Sequence, residues 1–353
     1  MSERDGRVTS LDGLRGLAAL AVVGYHYTTD FVEDYAPTGW VAVDLAYGRF
    51  GVVLFFIISG FVITTTLERT RSGGDYLVSR FARLFPAYWL AVVVTFVTVS
   101  AIGLPGWNRS LPDLLANLTM LQSFMGRPDI DQVYWTLAFE LTFYVLMIGL
   151  WLSPLRHRLQ AVLWAWLSMA LLYEYFEPDL PLRMAQVWRK LLVLKFAHLF
   201  IAGIALRQLH LHGPNVGWLA LAAACVAMQA LHTELAPVWI TAFLVALVAL
   251  AVGGWLPLLG CRPLLFLGGI SYTLYLAHQH IGYAVLLKLW QAGLRPEFAI
   301  AVTLTAAILL ATTYTFLVER PALRLIRESW SRRRDASARP PVMADRTLRL
   351  HPD

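Results

Sequence analysis

Four short stretches carry the side chains best suited to chemistry: "LDGLRGLAALAVVGYH" (11–26), "SRFARLFPAYW" (79–89), "YWTLAFELTFY" (134–144) and "GGISYTLYLAHQH" (268–280). In the first, Arg15 and His26 are eleven residues apart, just over three helical turns, so one face carries both. A rise of 1.5 Å per residue separates them by roughly 16 Å along the axis. Asp12 lies on a neighbouring line. In the second stretch Arg80 and Arg83 are three apart and neighbours on one face, and two guanidiniums offer a fork suited to phosphate. In the third, Glu140 lies roughly 9 Å into its helix, near the depth expected for His26. A carboxylate there must pair with a cation or keep its proton. The fourth puts Tyr272, Tyr275 and His278 on related helical lines. His278-x-His280 is weak metal evidence, since residues two apart on a helix do not converge.

The elements that must position these groups are membrane helices. Of 353 residues, 58% are hydrophobic and 15% charged, and mean hydropathy is +0.58. Soluble domains are about half apolar and a quarter charged, so this chain lacks the polar surface to cover itself. The fold class expected is an all-α polytopic membrane protein with about ten transmembrane helices. They fall at about 11–29, 48–67, 80–103, 134–152, 158–174, 186–207, 214–231, 236–253, 263–290 and 297–318. Continuous rather than alternating apolar runs argue against a β-barrel.

The connectors at 68–83, 154–160 and 207–215 and the segment 324–334 are basic, which places both termini in the cytoplasm. The net charge of +6 then reflects topology rather than nucleic acid. The connector 104–133 is expected outside, with "LLANLTMLQSF" (114–124) as a short interfacial helix. Residues 1–325 read as one integral-membrane domain and 326–353 as a basic, disordered cytoplasmic tail. Cys225 and Cys261 give neither a metal spacing nor a disulfide framework. The first apolar run contains charges and shows no cleavage site of a signal peptide.

Ionisable residues inside spans usually face a polar pathway. Blander readings exist: a snorkelling Asp12–Arg15 pair, a packing His26, Arg80 and Arg83 as topology anchors, and interfacial His278 and His280. Taken together, however, the groups are polarised, with arginines on the cytoplasmic side and imidazoles and a carboxylate deeper. That layout suits a donor with a phosphate-rich head and a long arm, the shape of acyl-coenzyme A.

The motifs, in order, resemble those of the acyltransferase 3 family of integral-membrane O-acyltransferases, which includes bacterial O-antigen and exopolysaccharide acetyltransferases. The Arg-x10-His first helix corresponds to Arg15 and His26, and the Arg-x-x-Arg motif to Arg80 and Arg83. "WTLAFELTFY" corresponds to the Trp-Ser-Leu-x-x-Glu-x-x-Phe-Tyr pattern, with Trp135 and Glu140. "ISYTLYLAH" matches Ser-Tyr-x-x-Tyr-Leu-x-His, and "VERP" (318–321) the terminal Glu-x-Pro. Thr136 replaces the usual serine, and Val53 stands where many members carry an acid.

The resemblance implies a multi-pass protein of the bacterial inner (cytoplasmic) membrane. It would transfer an acyl group, usually acetyl, from acyl-coenzyme A as co-substrate to a glycan hydroxyl or other hydroxyl acceptor, without a metal. His26 and Glu140 are then the expected catalytic residues, His26 as general base or acyl carrier and Glu140 orienting an imidazole. Arg15, Arg80, Arg83, Tyr272 and His278 are expected at the donor site. A proton-coupled transporter or flippase is the main rival, although the paired broken repeats of that class are not evident. A catalytically idle scaffold and an acyltransferase acting on a small secreted metabolite are two further rivals.

Overall fold

The computed structural model describes residues 8–37, 39–176, 182–232 and 236–337, and every regular element among them is helical. In chain order these are α1 (Thr9–Tyr25), α2 (Phe31–Tyr35), α3 (Gly51–Arg69), α4 (Gly73–Ile102), α5 (Leu111–Asn117), α6 (Trp135–Leu152), α7 (Leu159–Phe176) and α8 (Leu182–Leu191). There follow α9 (Ala197–His212), α10 (Val216–Met228), α11 (Val238–Val252), α12 (Arg262–Ala277), α13 (Gln279–Gln291), α14 (Pro296–Tyr314) and α15 (Arg320–Ser337). Four helical stretches are long and apolar enough to cross a bilayer: Ala46–Arg69, Gly73–Ile102, Gln132–Leu152 and Pro296–Arg334.

Close backbone approach at glycine sets the two helix pairs that build the centre. A Cβ on Gly268 of α12 would lie 2.0 Å from the Asp12 carbonyl oxygen of α1, and one on Gly203 of α9 would lie 1.9 Å from the Ile57 oxygen of α3. In lipid, helices gain little from apolar burial against each other, so small residues that let backbones touch decide the pairing. Further along, the Tyr27 hydroxyl just beyond α1 donates to the His278 carbonyl just beyond α12 at 2.8 Å. Contacts that advance together along both chains make α1 and α12 parallel, so their far ends meet.

Those far ends are both irregular. After α1 the chain makes a π-helical turn, His26–Asp30, closed by the Phe31 N–H on the His26 carbonyl. Such turns displace side chains from the regular helical stripe and are common at functional sites. The expected continuous span 263–290 is instead two helices, α12 and α13, interrupted at His278. Its imidazole Nδ1 lies 3.1 Å from the Leu274 carbonyl and 2.8 Å from that of Tyr275. The Leu276 carbonyl accepts from Tyr134 at 3.2 Å. Carbonyls released at a helix end must find donors when no water is at hand, and here a histidine and tyrosines supply them.

The connector 104–133 folds onto this break. Asn117 donates to the Asp113 and Pro128 carbonyls at 2.8 and 2.9 Å and accepts from the Ile130 N–H at 3.1 Å. Buried Asp131 accepts the backbone N–H of His280 at 3.0 Å and of Val133 at 3.3 Å, fixing Gln132 beside α13. The short helix expected over 114–124 falls earlier, at Leu111–Asn117, where Ser110 and Asp113 cap it reciprocally. Beyond it Met120 turns left-handed at φ 62°.

Residues 326–337 are helical rather than a disordered tail, and 338–353 lie outside the described residues. Composition misleads because α15 has partners on α4. Arg327 donates to Ser79 at 2.7 Å, Trp330 to Asp75 at 2.7 Å, and Arg334 to Asp75 at 3.1 Å.

Candidate active site

Two cavities share a wall in the centre of the bundle. The first, about 90 Å³, is lined by Arg15 of α1, Ser59 of α3, Arg80 and Arg83 of α4, Glu140 and Tyr144 of α6, and Tyr272 of α12. The second, about 230 Å³, is lined by Tyr25, His26, Asp30, Arg49, Gln132, Trp135 and Gln279. Val52, Phe56 and Tyr275 line both. The wall is therefore two apolar side chains and one tyrosine, whose hydroxyl is tied to Thr136 at 2.8 Å and the Val133 carbonyl at 3.1 Å. Thr136 thus keeps the hydroxyl that a serine would offer there.

In the first cavity the guanidiniums rest on aromatic faces. Arg80 lies 5.7 Å from the Tyr144 ring centroid and Arg83 lies 5.5 Å from that of Tyr272. Cation–π contact of this kind holds an arginine without consuming its N–H donors. Arg83 also pairs with Glu319, which is 2% exposed and sits in the π-helical turn between α14 and α15. Tyr272 donates to the Leu84 carbonyl at 2.9 Å, locking α12 to the arginine turn of α4.

Glu140 belongs to this first cavity, not beside an imidazole. Its carboxylate accepts from Tyr144, with Ser59 Oγ 3.5 Å away. The expectation that it orients His26 or His278 fails because depth along α6 fixes an axial level but not the neighbour. His278 is likewise displaced from its expected place among the donor-binding arginines. It is fully buried and its Nε2 lies 3.0 Å from His26 Nδ1. Arg15, Arg80, Arg83 and Tyr272 do share one cavity.

The histidine pair has a definite proton arrangement. His278 Nδ1 faces two carbonyls, which only accept, so that nitrogen carries the hydrogen and Nε2 keeps a lone pair. His26 Nδ1 faces the Val22 carbonyl at 2.9 Å and the lone pair of His278 at 3.0 Å, so it too carries hydrogen. The remaining lone pair on His26 is at Nε2. A neutral imidazole whose Nδ1–H is held by acceptors is oriented as a general base.

Three residues at the second cavity were not singled out from sequence. Asp30 is four residues past His26, a signal of shared helical face that was available. Gln279 and Gln132 carry no motif, and only folding brings them within 3.3 Å of each other. Val53, in place of the usual acid, lines the second cavity, where Asp30 provides a carboxylate. Among the described residues no group of three or more His, Cys, Asp or Glu could hold a metal ion.

The described residues thus combine an all-helical fold, four apolar stretches of bilayer length, an arginine-lined cavity and an adjoining oriented imidazole. The family model described as "Acyltransferase domain" matches residues 8–318, and the chain belongs to that family, acyltransferase 3. It is 28% identical to Acyltransferase MdmB of Streptomyces mycarofaciens, the match covering 99% of each chain. It is 28% identical to Exopolysaccharide production protein ExoZ of Rhizobium meliloti over 78% of this chain and 90% of that one. Peptidoglycan O-acetyltransferase OatA of Listeria monocytogenes is 31% identical over 39% of this chain and 23% of its own length. No solved structure matches the chain.

Proposed function

We propose that this acyltransferase moves an acyl group, acetyl in the first instance, from cytoplasmic acyl-coenzyme A to a glycan hydroxyl on the far side of the bacterial inner membrane. The observation that carries the reading is the pair of adjoining cavities, one lined by Arg15, Arg80 and Arg83 and the other by His26. A donor whose phosphates lie on the arginines would extend its thioester past Val52, Phe56 and Tyr275 toward the imidazole. His26 Nε2 takes the acceptor hydroxyl's proton as that oxygen attacks the thioester carbon. The carbon–sulfur bond breaks, and the proton on His26 passes to the departing thiolate. His278 Nε2 and the Val22 carbonyl accept from Nδ1–H throughout, steadying the imidazolium. The acetyl group and the glycan acceptor rest on the names of ExoZ and OatA.

The same reading sets ten crossings and cytoplasmic termini. α12 with α13 counts as one crossing, and the chain alternates from α1 outward to α14 inward. The parallel course of α1 and α12, first and ninth in that order, supports it, since odd-numbered crossings run the same way.

The deciding experiment uses purified protein and labelled acetyl-coenzyme A. His26→Ala should bind donor normally and lose 10²–10⁴-fold in transfer. Near wild-type transfer by that variant refutes the assignment of the base.

A further inference from the structure

The polar groups around His26 are arranged in a way that proton transfer alone does not require. Three donors converge on the Asp30 carboxylate: the Tyr25 hydroxyl at 3.1 Å, the Tyr283 hydroxyl, and Gln279 Nε2 at 3.2 Å. With three donors in place, this carboxylate is not waiting for a cation. It does, however, decide the orientation of Gln279. A carboxylate only accepts, so the amide must turn its NH2 toward Asp30, and the same NH2 reaches Gln132 Oε1 at 3.3 Å. The Gln279 carbonyl oxygen is thereby turned elsewhere, and it finds no hydrogen-bond partner among the described residues although the residue is 0% exposed.

A buried carbonyl without a donor is costly, and native structures keep few of them. Gln279 lines the cavity that His26 lines, so the missing donor can come from a molecule held there. The cavity's other offerings complement the same chemistry. Gln132 has spent its oxygen on Gln279 and has an NH2 to donate, and Trp135 and Tyr25 add aromatic walls. A ligand that both donates and accepts at neighbouring positions, on a ring with an apolar face, fits this set.

Building on the acyl-transfer reading above, we infer that Gln279 Oε1 accepts a hydrogen bond from the hydroxyl adjacent to the one acylated. The acceptor is therefore a sugar ring with a vicinal diol. Gln132 donates to the same ring, and Asp30 is a positioning residue that acts by fixing the Gln279 amide. Specificity for the site of acylation follows from geometry: the hydroxyl beside the one on Gln279 is the one delivered to His26 Nε2.

The test uses the full chain in detergent with labelled acetyl-coenzyme A. The acceptors are the methyl pyranosides of glucose, galactose and mannose with their monodeoxy analogues. Gln279→Met, of similar length but without an acceptor oxygen, should raise KM for an accepted pyranoside roughly tenfold. Its acetyl-coenzyme A affinity should stay near wild type. For the one monodeoxy analogue that lacks the adjacent hydroxyl, wild type and Gln279→Met should converge, which a merely structural role would not produce. Asp30→Asn, whose amide lets Gln279 invert, should raise KM similarly and add nothing in combination with Gln279→Met. Should thermal unfolding show Gln279→Met to be misfolded, Gln132→Ala at the exposed rim provides the same KM comparison.

Equal KM in wild type and the glutamine variants overturns the inference, as does a Gln279→Met loss that persists across every monodeoxy analogue. So does failure of the donor-binding wild type to acylate any pyranoside. The acyl-transfer reading is judged separately. It stands if wild type acylates a pyranoside and His26→Ala does not, whatever Gln279 shows.

Discussion

Replacing His278 with alanine should slow transfer by a calculable factor through its effect on His26. At rest, His278 Nε2 receives a neutral N–H from His26 at 3.0 Å, a bond worth about 1 kcal/mol net. In the proposed mechanism His26 takes the acceptor's proton, and the same contact then becomes a hydrogen bond from a cation, worth about 1.5–3 kcal/mol. The transition state therefore loses about 0.5–2 kcal/mol more than the ground state, or about 2- to 30-fold in kcat. The Val22 carbonyl at 2.9 Å remains as a second acceptor, which keeps the loss below that for removing the base. Stability should also fall, because the Leu274 and Tyr275 carbonyls lose their shared donor, at about 1–3 kcal/mol for each group left unpaired. The two effects separate in a His26→Ala background. There His278→Ala should still lower the unfolding temperature but leave the residual transfer rate unchanged. The assay is transfer of label from acetyl-coenzyme A, read beside thermal unfolding. An undiminished kcat in His278→Ala, or the same fractional loss with and without His26, refutes the reasoning.

Other outcomes follow from the same geometry. Arg80→Ala should weaken acyl-coenzyme A binding tenfold or more through loss of charged hydrogen bonds with little change in unfolding temperature. Arg83→Ala should lower both, since it orphans buried Glu319 at about 3–5 kcal/mol, and intact donor binding in both would return these arginines to topology anchors. Gly268→Ala places a Cβ 2.0 Å from the Asp12 oxygen and should cost about 1–3 kcal/mol and slow transfer. Gly269→Ala, whose nearest neighbour is an Arg320 side-chain nitrogen at 3.4 Å, should be tolerated, and equal thermal stability of the pair would disprove the helix contact. Burial pushes the Asp131 carboxyl up to about 7, against about 4 in the unfolded chain. Its folded state thus favours the proton, and the stabilisation present below pH ~4 is lost as pH rises through ~7. Unfolding temperature should fall across that window and fall less in Asp131→Asn, with identical slopes counting against the assignment. Cysteine at Glu297 should react with an impermeant reagent from outside intact cells and cysteine at Arg71 should not. The reverse pattern would invert the proposed topology.

The sequence by itself determined what depends on local composition. Apolar runs of bilayer length, the Arg-x10-His face and the Arg-x-x-Arg pair can be read without knowing any neighbour, because hydropathy and helical phase belong to a single segment. On those grounds the helical membrane class was legible and the motif order gave the family, while the expectation that Arg15, Arg80, Arg83 and Tyr272 share a site came from the family resemblance and not from any one segment. Only the tertiary structure decided which polar groups meet. Glu140 and His26 look equivalent in depth, yet Glu140 faces the arginines while His26 meets His278, 252 residues away. Depth is an axial coordinate, and a helix's own sequence says nothing of which other helix lies against a given face. That choice rests on complementary surfaces, here Gly268 against the Asp12 backbone, and on interruptions at His26 and His278 whose released carbonyls need particular partners. Gln279 is the extreme case: nothing in its sequence context sets it apart until a carboxylate from another helix fixes which way its amide turns.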